Sequence, residues 1–239
     1  MYSPREAFSD PLVLREEDAH YLTDVLRVSP GGEIETFDGE GGADRWEVAE
    51  ITRRKIRLKH LGHSDVPRRS PVNLTLGLNP LKAGNEEFAV RMAAAMEVGQ
   101  LLPVIFARSE IPLDEPALDK RMDRWRRLCV SEVALTGGAN LPEIRQACLF
   151  GDAVTRSAGR RVLFFEGAQV GATVRPFAAG EQITAFIGPE GGLEPDEVDS
   201  ARASGCEIAS LGPWTLRAEL AGALAPFWIY SHVEQTGKG

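Results

Sequence analysis

The spacing of hydrophobic residues changes near residue 70, and that change bounds what the chain can fold into. Up to about residue 65, apolar and polar residues alternate at period two. "RWEVAEI" (Arg45 to Ile51) and "KIRLKHL" (Lys55 to Leu61) read as half-buried strands. "GGEIETFDGEGG" adds a strand, Glu33 to Phe37, closed by the turn dipeptide Asp38-Gly39. A small β-barrel or sandwich follows from this. "SDVPRRSP" (Ser64 to Pro71) holds two prolines among charges and reads as a linker. Beyond it, strands alternate with helices: "VNLTLGL", the helix "NEEFAVRMAAAMEVG" ending at Gly99, "LLPVIF", and the helix "LDKRMDRWRRLCVSEVAL". Next come "RVLFFEG", "QITAFIG", the helix "EPDEVDSARASG", "EIASLG" and a last helix from about Leu216 to Val233. Such alternation predicts an α/β domain with a mostly parallel sheet and helices on both faces. The expected division is residues 1–67 and 68–239. In the last helix, Leu220, Leu224, Phe227 and Trp228 recur at helical spacing and are expected to pack on the sheet or on a second subunit.

Composition excludes several classes. Three cysteines, Cys129, Cys148 and Cys206, lie far apart without a C-x-x-C pair, as free buried thiols in a reducing compartment would. The charged N-terminus lacks the apolar core of a signal peptide, and no apolar run reaches the ~18 residues of a membrane span. A cytoplasmic protein is expected. The net charge of −8 argues against a general nucleic-acid binder, yet "RRKIRLKHLGHSDVPRR" (Arg53 to Arg69) holds seven Lys or Arg against one acid, Asp65. That run reads either as a solvated strand or as a contact for a polyanion. His60-x-x-His63 within it reads as a surface feature with no Cys or carboxylate partners at ligand spacing.

Three loops follow strands in the second half: "FFEGA" (Phe164 to Ala168), "IGPEGG" (Ile187 to Gly192) and "LGPWTLR" (Leu211 to Arg217). In parallel sheets ligands sit beyond the carboxyl ends of the strands, so the three can meet at one pocket. Neither G-x-G-x-x-G nor a Gly-Lys-Ser/Thr phosphate loop is present, and Glu190 would repel phosphate, so a neutral or cationic ligand suits the turn better. Taken alone, "IGPEGG" reads equally as a plain turn into a capped helix.

"IGPEGG", an intervening helix, and then "SLGPWTLRAELA" resemble the C-terminal signature of the SPOUT methyltransferases. More closely, the chain resembles the bacterial 16S ribosomal RNA (uracil N3) methyltransferases, whose pattern reads approximately I-G-P-E-G-G-F and then L-G-x-R-I-L-R-T-E-T-A. The likeness spans nearly the whole chain. "DAHYLTDVLRVSPGGEIETFDGEGG" looks like that family's PUA-like RNA-binding barrel, with His20, Leu26, Arg27, Gly31 and Asp38-Gly39 in matching places. "MEVG" (Met96 to Gly99) stands where the family has T-E-L-G, and Lys82 matches a lysine before that helix.

The resemblance implies a PUA-like barrel followed by a SPOUT domain with a deep trefoil knot, a homodimer, S-adenosylmethionine as methyl donor without a metal, and N3 of a uridine in 16S rRNA as acceptor. It implies that Phe165, Glu166, Gly167, Ile187, Gly188, Pro189, Glu190, Gly191, Gly192, Leu211, Gly212, Trp214, Thr215 and Leu216 bind the cofactor, chiefly through backbone groups. Arg217 would stabilise charge on the uracil oxygens, or else only pair with Glu219 or Glu190. Glu219 would serve as base or as a structural carboxylate. His20, Arg27, Arg53, Arg54, Lys55 and Lys82 would meet RNA, although Arg27 could equally pair with Asp24. The chain departs from the pattern at Ala218 and Leu220, where the family has threonines, at Thr136 and Gly138-Ala139, where it has Gln and Arg, and at Pro213-Trp214. These departures leave open a non-catalytic RNA-binding relative or a methyltransferase with another RNA target.

Overall fold

The computed structural model describes residues 1–3, 12–15, 22, 27–52, 55–112, 116–168 and 174–234. They form two compact units, Met1–Arg68 with Val133–Leu141, and Arg69–Glu132 with Pro142–Gly239.

The first unit contains a four-stranded antiparallel sheet of β1 (Leu12–Arg15), β2 (Glu33–Phe37), β3 (Gly42–Ile51) and β4 (Lys55–Asp65), in the order β1-β4-β3-β2. Period-two alternation does what the sequence requires of it. On β4, Ile56 and Leu58 are buried, whereas Lys55, Arg57 and Lys59 point to solvent. The inward residues join Leu12, Leu14, Leu22, Ile34, Trp46 and Val48 in one core. The Trp46 indole N–H donates to Thr36 Oγ1 at 2.8 Å, so the buried ring leaves no orphan donor. The β2–β3 turn depends on Asp38, whose Oδ1 accepts from the backbone of Glu40 and Gly42 at 2.8 Å each. Gly39 and Gly41 take the positive φ that this turn needs.

His60 and His63 share a carboxylate partner across the sheet. Strand register places Asp44 opposite His63, and its Oδ1 lies 2.6 Å from His60 Nε2 and 3.3 Å from His63 Nδ1. The carboxylate partner was invisible in the linear sequence because it sits on the neighbouring strand. Hydrogen bonding to Asp44, opposed by desolvation and helped by the charges of Asp44 and Asp65, raises the pKa of His63.

The second unit is built on an all-parallel sheet. Its strands are β5 (Asn73–Leu78), β6 (Gln100–Ile105), β7 (Glu143–Ile144), β8 (Cys148–Leu149), β9 (Arg160–Phe164), β10 (Gln182–Ile187) and β11 (Glu207–Ala209). The order is β11-β9-β10-β5-β6-β7, with β8 also on β6. Helices α1 (Glu87–Ala95) and α5 (Ala218–Ser231) pack on each other, and α5 also packs on β5 and β10. Helices α3 (Phe150–Arg156) and α4 (Pro195–Ala203) pack together around Phe106, Phe150, Leu163, Phe186 and Val198. Central strands covered on both faces read as near-continuous apolar runs, as "ITAFI" does with Thr184 as its one polar residue. The remaining long helix, α2 (Leu118–Thr136), brings Arg121 and Trp125 onto the buried Glu86. No helix among the described residues is long and apolar enough to cross a membrane.

Three sequence expectations shift. Helix α1 stops at Ala95, not Gly99, because Glu97 turns to φ +54° and its buried carboxylate takes bonds from the Arg69 backbone and side chain at 2.5 and 2.7 Å. Strands β7 and β8, two residues each, and the short α3 carried no readable period. The apolar stripe on α5 divides: Trp228 lies against Phe164 of β9 with ring centroids 5.2 Å apart, whereas Leu224 and Phe227 are 45% and 64% exposed. The buried face is made instead of Glu219, Gly222, Ala223, Ala225, Pro226 and Ile229. Close approach is the reason. A Cβ on Gly222 would stand 2.8 Å from Leu78 Cδ2 and 2.9 Å from Ala89 Cβ, so only small residues fit.

Candidate functional site

Register alone gathers the three loops. Ile187 pairs with both Leu78 and Phe164, and Phe164 pairs with Ala209, so β5, β9, β10 and β11 end at one level. The segments that follow enclose a cavity of about 610 Å³ at the carboxyl edge of the sheet. That is within the usual range of small-molecule sites.

One wall is the turn after β10. Gly192 N–H donates to Pro189 O at 3.0 Å, closing the turn, and Gly192 holds φ +72°. A Cβ on Gly188 would stand 2.7 Å from Leu193 Cδ2, and one on Gly191 3.1 Å from Arg108 Cβ. Space is therefore tight at Gly188 and Gly191, and conformation favours glycine at Gly192. The turn then runs into α4 through a capping box, in which Glu194 and Glu197 satisfy each other's backbone N–H groups. Arg108 fastens the turn from the loop after β6: its Nε donates to Glu194 Oε1 at 2.8 Å and a terminal nitrogen donates to Gly191 O at 3.1 Å. From the loop after β5, Asn85 Nδ2 donates to Glu190 Oε1 at 3.0 Å.

The facing wall is the segment between β11 and α5. Ser210 Oγ accepts from Gly212 N–H at 3.2 Å and donates to Gly212 O at 2.7 Å, locking a glycine with φ +136°. Arg217 is the N-cap residue of α5, contributing its carbonyl to Leu220 and Ala221, and its Nε lies 3.2 Å from Glu219 Oε1. In that pair the guanidinium side chain is 78% exposed and the carboxylate side chain 11% exposed. A buried acid therefore orients a cation that remains open to solvent.

Of the residues singled out in the sequence, Phe165, Glu166, Ile187 to Gly192, Leu211, Trp214 to Leu216, Arg217 and Glu219 all line this cavity. Gly167 and Gly212 do not line it; each lies against an aromatic ring of its own loop, Phe165 and Trp214. Asn85, Arg108, Leu193 and Ser210 line the cavity but were missed. The rule that ligands sit beyond strand ends would have found Asn85 and Arg108 had the loops after β5 and β6 been searched as well as the glycine-rich ones.

Of the residues expected to meet RNA, Arg27, Lys55 and Lys82 are not among those lining the cavity. His20, Arg53 and Arg54 lie outside the described residues. Arg27 is exposed and holds φ +52°, an uncommon conformation for a non-glycine residue. Lys55 is exposed on β4, and Lys82, in the 3₁₀ turn Lys82–Gly84, pairs with Glu110 at 3.2 Å. The basic run is less positive as a surface than as a sequence. Lys59 lies 3.8 Å from Glu47 and Arg57 lies 3.9 Å from Glu50, across the β3–β4 pair. Burial pushes the thiols of Cys129 and Cys206 up to about 12, and burial also raises that of Cys148. None of the three is poised as a thiolate. Among the described residues, no group of three or more His, Cys, Asp or Glu could hold a metal ion.

A family profile described as RNA methyltransferase domain matches residues 68–229, and one described as RNA methyltransferase PUA domain matches residues 14–60. The chain is 27% identical over 229 residues to ribosomal RNA small subunit methyltransferase E of Synechocystis sp., a match covering 93% of this chain and 74% of the relative. It is 26% identical over 230 residues to the protein of the same name in Mycobacterium bovis, covering 89% and 83%. A solved structure of ribosomal RNA small subunit methyltransferase E from Neisseria gonorrhoeae, bound to S-adenosyl methionine, shares the fold at TM-score 0.84 and 23% identity, covering 98% of this chain and 97% of that one.

Proposed function

The chain belongs to the RNA methyltransferase family, and on that premise we propose that it transfers a methyl group from S-adenosylmethionine to N3 of a uridine in the 16S RNA of the small ribosomal subunit. One observation carries the reading: the loops after β9, β10 and β11, which hold the family-like motifs, enclose a single cavity with Arg217 and Glu219 in its wall. The curated relatives that match along most of the chain carry the name of that activity.

The cavity suits a sulfonium donor. Its walls set the carboxylates of Glu166, Glu190 and Glu219 against the guanidinium groups of Arg108 and Arg217, a lining with one net negative charge that favours a cation over a polyphosphate. The loops Phe165–Gly167, Ile187–Gly192 and Leu211–Leu216 would hold the cofactor, mainly through the N–H and C=O groups that their glycines leave accessible. When bound, S-adenosylmethionine supplies an electrophilic methyl group that needs no metal. The residues then have three tasks. The enclosed walls keep water from the reacting atoms. Arg217, held by Glu219 and open to the mouth, meets the uracil oxygens and stabilises the charge that spreads onto them as N3 gives up its proton. Glu219 holds that guanidinium in place and is the carboxylate nearest to it able to take up the proton.

In this reading residues 1–67 are the PUA-like RNA-binding module and residues 68–239 the SPOUT methyltransferase domain. Arg27 and Lys55, with His20, Arg53, Arg54 and Lys82, would meet the RNA. The return of α5 from β11 to β5 and β10 fits the expected trefoil knot. Exposed Leu224 and Phe227 on α5, with exposed Phe88 on the neighbouring α1, support a homodimer, acting in the cytoplasm where its substrate is assembled. Calorimetry with S-adenosylmethionine, followed by tritium transfer to undermethylated small ribosomal subunits, tests the proposal. Binding with transfer is expected. Binding without transfer would replace it by the non-catalytic relative, for which the substitutions at Ala218, Leu220 and Thr136 speak.

A further inference from the structure

We propose that Trp214 is the platform on which the target base stacks once it has left its own neighbours; this rests on the methyl-transfer reading above. The sequence grouped Trp214 with the cofactor residues, but its surroundings point outward. Trp46 and Trp125 are fully buried, and Trp228 is held between Phe164 and His232, with ring centroids at 5.2 and 3.9 Å. Trp214 alone of the four is mostly in water, 69% exposed, at the wall of the cavity.

The exposed ring lies against its own turn. Its six-membered ring fills the place that a side chain at 212 would take: a Cβ there would stand 2.8 Å from Trp214 Cζ3 and 2.9 Å from Cε3. Gly212, at φ +136°, is a position for glycine alone, and the Ser210 hydroxyl bonds both its N–H and its carbonyl. One side of the indole thus rests on a locked turn, and the rest of it stands open beside the mouth. Three residues on, the exposed guanidinium of Arg217 begins α5.

This is the chemistry an incoming base requires. A base that reacts at a ring nitrogen must be drawn out of its stack, and an aromatic side chain replaces the neighbours it loses. Trp214 supplies a surface for any base and Arg217 the charge that favours a pyrimidine imide, so placement and chemistry are divided between two side chains of one short loop. A cofactor held by the backbone of the loops would depend little on an indole that is 69% exposed.

Two variants, Trp214→Ala and Trp214→Phe, test this beside the wild type, each protein assayed by methyl transfer to undermethylated small ribosomal subunits and by calorimetry with S-adenosylhomocysteine. Trp214→Ala is expected to raise KM for the subunits about tenfold to a hundredfold, with S-adenosylhomocysteine affinity changed less than about twofold, and Trp214→Phe to recover most of the loss. Acrylamide should still quench the exposed tryptophan when S-adenosylhomocysteine is saturating. An active wild type whose Trp214→Ala variant keeps its KM overturns the platform alone. So does a variant that loses S-adenosylhomocysteine affinity in parallel with an indole shielded by that ligand, which would make Trp214 a cofactor lid. A wild type that binds no S-adenosylhomocysteine and transfers no methyl group overturns the premise and this inference together.

Discussion

The cavity wall of the second unit and the outer face of β4 in the first unit are both proposed as surfaces for a ligand, yet they are built from different material. The cavity wall is backbone. Gly188, Gly191 and Gly192 are there because a Cβ would collide with Leu193 or Arg108, or because φ is positive. The outer face of β4 is side chain, and its charge depends on the strand next to it: Glu47 and Glu50 stand within 4 Å of Lys59 and Arg57. A surface made of backbone can be read one residue at a time, because each glycine reports its own constraint. A surface made of charge cannot, because its sign is a property of register.

The comparison can be broken from either side. The largest expected effect is at Arg217. Arg217→Ala should lower single-turnover methyl transfer about 10²- to 10³-fold, as loss of a charge-stabilising donor does, while S-adenosylhomocysteine affinity measured by calorimetry stays within about threefold. An equal loss in both would make Arg217 a structural cap. Next is the backbone packing that carries the cavity. Gly222→Val should destabilise the protein by about 1–3 kcal/mol in chemical denaturation, because the new side chain overlaps Leu78 and Ala89. Unchanged stability would show that α5 can move off the sheet at no cost.

On the charged side, Arg27→Ala should weaken RNA binding and lower its salt slope by about one, with cofactor affinity intact. Lys59→Ala should change RNA affinity far less, because Glu47 already faces that cation. Equal losses at both positions would erase the distinction between local and register-cancelled charge. The smallest effect is a titration. His63 is raised above its ordinary value of 6.5 by Asp44, so its contribution to stability is full below that value and lost as pH rises through the folded-state pKa. Asp44→Asn should return the His63 pKa, followed by NMR, toward 6.5.

These contrasts also explain what the sequence disclosed. Period-two strands and the alternation of strands with helices fixed both units in outline, and the three glycine loops after strands located the cavity. Arg108 and Asn85 stayed hidden because they reach the "IGPEGG" turn from loops more than 80 residues away, where no motif marks them. Asp44 was hidden for the same reason, being 16 residues from His60 along the chain and 2.6 Å away across it. The α5 stripe is legible only in part, because helical spacing does not say which large residues meet the sheet: Trp228 reaches Phe164, whereas Leu224 and Phe227 are exposed. Where two helices and a sheet come this close, small residues pack inward.

The most direct test of the account is the position of the methyl group. Small-subunit RNA from cells with and without this protein, digested and compared by mass spectrometry, should differ at one uridine, methylated on N3 only when the protein is present. Identical RNA from both, or a methyl group on another base or on ribose, would contradict the account.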